Sequence, residues 1–241
     1  MAISTNPLAW LRSVQPRRAI ALLLLLLPLT VGAQTVRDMW LSMPPSLAPY
    51  LSTSLRTQCL DFYDMHTDAQ TDNALKGKSR IDTLTSTFLA ATLSKAHTLQ
   101  MKLLPASGSG SGSASASSMV SGSGSSSSLS SCDSVLCVVR SWDGPKRDSE
   151  VQLFDRQWKP LQAPLTFSAD SFVCRPDTMS EERFSRLVAL LDPIMFSVSL
   201  SPAENVLLVK LSPIVPNPED EKAIEQILVQ RKLKWDGKTF K

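Results

Sequence analysis

Histidine is the usual proton shuttle near neutral pH, and this chain has two, His66 and His97. His66 follows the end of a helical pattern and His97 opens an alternating segment. Both read as cap or surface histidines rather than general bases. Serine nucleophiles of the elbow type need G-x-S-x-G. The sequence lacks it, and its repeated Ser-Gly is low complexity. The nearest approach to paired carboxylates is Asp64 with Asp68, and Glu181 with Glu182. Glycosidase chemistry needs two carboxyls opposed across a cleft, whereas adjacent acids at a helix start answer the helix dipole. There is no phosphate-cradling glycine loop, dinucleotide fingerprint or H-E-x-x-H. No catalytic residue, cofactor or metal-ligand set is expected.

Aromatic side chains carry the remaining signal. Trp142, Trp158 and Trp235 all fall beside turn residues at strand ends. There they either close the ends of the core or form a binding surface, where tryptophan is enriched. Residues 233–241 form a short hairpin in which Lys234, Lys238 and Lys241 join Arg231 and Lys232, against the single acid Asp236. Candidate binding residues are therefore Trp142, Trp158, Lys234, Trp235 and Lys238. The leading expectation is a non-catalytic binding or structural protein of a bacterial envelope, its partner another envelope protein or a glycan. A hydrolase-type enzyme with a site assembled from dispersed residues is the alternative. A cleft gathering His66 or His97 with two acids favours the enzyme, and a groove lined by tryptophan favours the binding protein.

The positioning elements follow from periodicity. Residues 99, 101 and 103 are apolar and alternate with Thr98, Gln100 and Lys102, one face of a strand. Residues 135–139 are apolar on both faces and belong inside a sheet. Residues 106–131 lie between them, a Ser/Gly-rich tract with no means of forming a core. The pair reads as an antiparallel hairpin whose turn is a long disordered loop.

Upstream, residues 36–43 form a helical stripe stopped by Pro44-Pro45. A helix capped by Ser52 or Thr53 runs to about Asp64, with Leu55, Cys59, Phe62 and Tyr63 inward. Residues 67–80 read as a connector and 81–94 as one or two strands. Residues 150–154 are a further strand.

Downstream, Thr178 with Glu181 reads as a capping box for a helix burying Phe184, Leu187, Val188 and Leu191. Strands at 195–200 and 205–211 follow. Asn217-Pro218 starts a helix, and Asp236-Gly237 signals a type I′ turn. Helix-then-meander occurs twice, and Trp-Asp-Gly recurs at 142–144 and 235–237, echoes of an internal repeat. The fold class is α+β, an antiparallel meander sheet with helices packed on one side.

Residues 1–33 read as a signal peptide: Arg12, Arg17 and Arg18, an apolar run over 19–31, then Val31-Gly32-Ala33 before Gln34. Such a run rises about 20 Å, short of a ~30 Å hydrocarbon core. Cleavage removes three arginines and no acid, so the nominal charge of +3 disappears. A neutral chain gives no support to nucleic-acid binding, which requires clustered positive charge. The expected product is one periplasmic or secreted α+β domain, residues 34–241, with no transmembrane segment. Cys59, Cys132, Cys137 and Cys174 permit three full pairings, between which the sequence does not choose.

Seven segments, MPPSLAPYL, LRTQCLDF, TLQMKLLP, DSVLCVV, EVQLFDRQWKPL, RPDTMSEERFSRL and QRKLKWDGKTF, occur in order over nearly all of the mature chain. Together they resemble a family of exported Bacteroidales proteins, domain of unknown function 3256. The resemblance implies a signal peptide, a compact periplasmic or secreted domain and no established activity. The departure is the 106–131 tract, where the family pattern implies a short connection.

Overall fold

A computed structural model describes residues 34–107, 134–162 and 164–241. The expected signal peptide and most of the Ser/Gly tract lie outside them. Six strands form an antiparallel meander in chain order: β1 (Thr71–Asp72), β2 (Lys78–Leu84), β3 (Phe88–Ser94), β4 (His97–Pro105), β5 (Ser134–Asp143) and β6 (Arg147–Phe154). A second, three-stranded antiparallel sheet joins β7 (Phe196–Leu200), β8 (Val206–Leu211) and β9 (Arg231–Lys234). The helices are α1 (Val36–Ser42), α2 (Thr53–Asp64), α3 (Glu181–Ala189) and α4 (Pro218–Glu225). The α+β class and the antiparallel meander are as expected, and β4 and β5 pair along their whole length, from His97↔Trp142 to Pro105↔Ser134.

Because side chains alternate along a strand, the large sheet has two buried faces. One carries Leu89, Leu99, Met101, Leu136 and Val138 against α1 and α2. The other carries Leu104, Val135, Cys137, Val139 and Val151 against Val198, Leu207 and Val209 of the small sheet and against α3 and α4. The helices thus divide between the two sides. Burial on both faces explains why β5 reads as continuously apolar.

The N-terminal helices are clasped together. Thr35 caps α1 in a full capping box with Asp38. Trp40 Nε1 donates to the Arg56 carbonyl at 3.0 Å, while the buried Arg56 guanidinium donates to the Trp40 and Met43 carbonyls. Arg56 is not among the inward residues expected from sequence; those carbonyls at the end of α1 bring it in. Ser52 caps α2 as expected, and Leu60 joins Cys59 inside.

Several local expectations are corrected. The cap of α3 is Ser180, which accepts from Arg183 N, rather than Thr178. The connector over 67–80 contains β1 and the start of β2. Asp236-Gly237 is not a type I′ turn: Trp235 pairs with Phe240 across four residues, and Asp236 Oδ1 accepts from the Lys238 and Thr239 amides. Only Gly237 there has positive φ, +97°, whereas type I′ needs it at both central positions. The described chain also runs two residues past the expected edge of the tract. Ala106 is buried, and Ser107 N donates to the Gly237 carbonyl at 3.0 Å.

The small sheet is fastened by polar groups. Lys102, buried along its stem, donates from Nζ to the carbonyls of Ser201, Pro202 and Glu204 at 2.6, 3.0 and 2.7 Å. Burial lowers its pKa from the usual lysine value, and Cys137 and Glu204 oppose that shift. On the outer side of β7, the amides of Phe196, Val198 and Leu200 donate to Asp148 Oδ1, Ser149 Oγ and Gln100 Oε1.

Candidate functional site

The tryptophans and lysines proposed from sequence do not share a surface. Trp142 is 40% exposed and stacks on His97 with ring centroids 5.2 Å apart, and the Arg140 guanidinium lies 5.5 Å from its ring. Trp235 sits at the other end of β4, donating from Nε1 to the Pro105 carbonyl at 2.6 Å. A nine-residue strand separates the two, about 26 Å at the usual rise. Trp158 is only 9% exposed, lies edge-on to Phe154 and donates to Ser42 Oγ at 3.2 Å. It belongs to the core beneath α1.

The hairpin lysines split as well. Lys234 and Lys238 are exposed, whereas Lys232 pairs with Glu204 and Lys241 with Asp236, each at 2.6 Å. Two of the five basic residues expected to form a positive field there are thus matched by acids.

The two histidines differ. His97 is 8% exposed, not a surface residue, and its Nδ1 is hydrogen-bonded to the Tyr50 hydroxyl. Burial, with Arg140 adding to it, pushes its pKa below the usual imidazole value, so the ring is neutral near pH 7. Its Nε2 is buried without a hydrogen-bond partner. His66, with φ +52°, ends the turn after α2, where its amide donates to the Tyr63 carbonyl.

His66 borders a cleft of about 450 Å³, bounded by the carboxyl end of α2, the segment 66–69 and the edge of β2. Cys59, Asp68, Arg80 and Asp82 also line it, and no tryptophan does. The cleft therefore brings His66 together with two acids, the juxtaposition that sequence reasoning attached to an enzyme.

Two of its groups are already engaged within the fold. Asp82 accepts from Arg80 Nε and Thr92 Oγ1, both at 2.7 Å, one on each oxygen. The Cys59 thiol is buried, and burial raises its pKa, leaving it protonated where a nucleophile needs a thiolate. Among the described residues, no group of His, Cys, Asp and Glu is arranged to hold a metal ion.

What the cleft does present is backbone. β1 pairs only with Lys78 and Ser79, so β2 from Arg80 onward has no strand on that side. At the far end the Tyr63 hydroxyl covers the strand, accepting from Leu84 N at 3.1 Å. Between these covers, Arg80, Ile81 and Asp82 border the cleft. Sequence reasoning missed this site because nothing in residues 67–82 marks where β1 would stop. Among the described residues, no helix is long and apolar enough to cross a membrane.

A family model described as "Protein of unknown function (DUF3256)" matches residues 28–130 and 125–240. No curated protein matches the chain. A domain of an uncharacterized protein from Porphyromonas gingivalis W83 has a similar solved structure, with a TM-score of 0.61 and 21% identity. The likeness covers 86% of this chain and 98% of that one, and it shows a shared fold.

Proposed function

Because the chain belongs to the DUF3256 family, for which no activity is described, we propose a role from the site: it is an exported, non-catalytic binding protein that takes its partner in the α2–β2 cleft. The observation that carries this is the state of the cleft's groups. Of the groups with nucleophile or base chemistry, Asp82 is engaged by two hydrogen bonds and Cys59 is kept protonated by burial, which leaves His66 and Asp68. A volume of about 450 Å³ lies within the ~300–1,000 Å³ usual for binding sites. The envelope assignment rests on the short apolar run ending in Val31-Gly32-Ala33, which has the form of a cleavable signal.

The enzyme reading has its own support in the meeting of His66, Asp68 and Asp82. A panel of chromogenic esters and glycosides, run on wild type and His66→Ala, separates the two. The binding reading expects no turnover from either protein. Turnover that is lost in His66→Ala establishes the enzyme instead. N-terminal sequencing is expected to find mature protein beginning at Gln34, and a retained leader refutes export.

Trp142, Lys234, Trp235 and Lys238 stay a secondary proposal as contact residues, and of these Trp142 has the most exposed ring. Trp158 is withdrawn from that group, since its side chain is spent in the core.

A further inference from the structure

We infer that the occupant of the cleft is a short extended segment of a protein partner, carrying basic side chains, that adds to β2 as a strand in line with β1. The inference rests on the binding reading above and names the partner's form and charge.

The first argument is the edge. A strand edge displays a row of backbone donors and acceptors that templates pairing with another chain. Other outer edges of this fold are met at several points by the rest of the chain. β6 bridges to Leu165 and Phe154 to Pro160; β7 is met by Asp148, Ser149 and Gln100; and Lys234 of β9 exchanges backbone hydrogen bonds with Lys241. Along β2 the cover stops at Ser79 and resumes at Leu84, and the cleft occupies the gap. Thr71, the last paired residue of β1, is followed toward the N-terminus by segment 66–69, which forms the opposite wall. A chain laid in the gap would continue the ladder that β1 begins, the mode known as strand addition.

The second argument is length. The shift in register between Ile81 and Thr83 marks a bulge, a feature that ends or redirects pairing. Together with the Tyr63 cover it limits the added strand to a few residues, which the size of the cleft matches.

The third argument is charge. The wall facing the edge is the carboxyl end of a twelve-residue helix, which carries partial negative charge. Asp68 lies just beyond it and has no ion pair among the described residues. The acids Asp64, Asp72 and Asp82 are already matched by Arg37, Lys78 and Arg80. The surplus is negative, so the complementary segment is basic.

The probe is a capped peptide of alternating Lys and Val, titrated into the mature protein while backbone amides are followed by NMR. At ~10 mM a site of even millimolar affinity is near saturation. Strand addition predicts shifts across Arg80, Ile81 and Asp82 with exchange protection at Ile81, whose amide shares the outward side with Ser79, a tenfold or greater weakening when alternate peptide nitrogens are methylated, and weaker binding to Asp68→Lys.

No binding at that concentration, or binding indifferent to N-methylation, overturns strand addition. Protection confined to residues away from the cleft overturns the cleft as the binding site. A neutral oligosaccharide run in parallel completes the test: saccharide-induced shifts in the cleft, with none from the peptide, keep the cleft and discard the peptide.

Discussion

Two strand edges in this protein face the same physical problem and meet it differently. Along β7 the amides of Phe196, Val198 and Leu200 are each met by a side chain of the large sheet, and Lys102 closes the adjoining turn. Along β2 the cover is two residues of β1 at one end and one tyrosine hydroxyl at the other, with an open cleft between. An unpaired amide is costly only where water cannot reach it. The buried edge must therefore be satisfied from within, and the open one is free to serve a partner. The difference also bears on the hairpin singled out from sequence. Its residue types suit binding, but most of its polar groups already have partners inside the molecule.

The comparison is most exposed to test at Lys102. Lys102→Met keeps the apolar stem and strips three carbonyls of their donor, so unfolding free energy should fall by about 3–9 kcal/mol, at roughly 1–3 kcal/mol per unsatisfied group. Denaturant titration measures it, and a loss under about 1 kcal/mol means that water replaces the ammonium.

Trp235→Ala comes next. It removes a half-buried ring packed on Phe240 and the bond to Pro105, for about 2–3 kcal/mol. A full-strength fold with lost partner binding in this variant restores the hairpin as a docking surface.

Gln100→Leu leaves the Leu200 amide without its acceptor and should cost about 2 kcal/mol. Tyr63→Phe uncovers Leu84 on the open edge, where water takes the hydroxyl's place, and should cost no more than about 0.5 kcal/mol. If calorimetry finds these last two equal, the buried and open edges are not the contrast described above.

Much of the scaffold was legible because its periodicities are clean. The alternation at Leu99, Met101 and Leu103, the apolar run of β5 and the Asn217-Pro218 helix start each state a local preference that packing has no cause to override. The failures cluster where a distant group decides the outcome. Arg56 is buried by carbonyls of α1, Lys102 by a turn about a hundred residues away, and His97 by Tyr50 and Trp142. Short-range patterns carry no record of such partners.

The candidate site was least legible of all. Its chemistry is main-chain, and its existence depends on where β1 stops, which no side chain in the segment announces. Only the meeting of His66 with acids was foreseen, as a condition attached to the enzyme reading.

The closing pair of the β4–β5 ladder, Pro105↔Ser134, has a practical corollary. Residues 105 and 134 lie side by side, at a point braced by Trp235 and Gly237. The connection between them is thus a natural splice point. A reporter domain or an affinity handle whose own termini lie close together can be grafted there, and each doubling of a flexible connection adds only ~0.6 kcal/mol of closure cost.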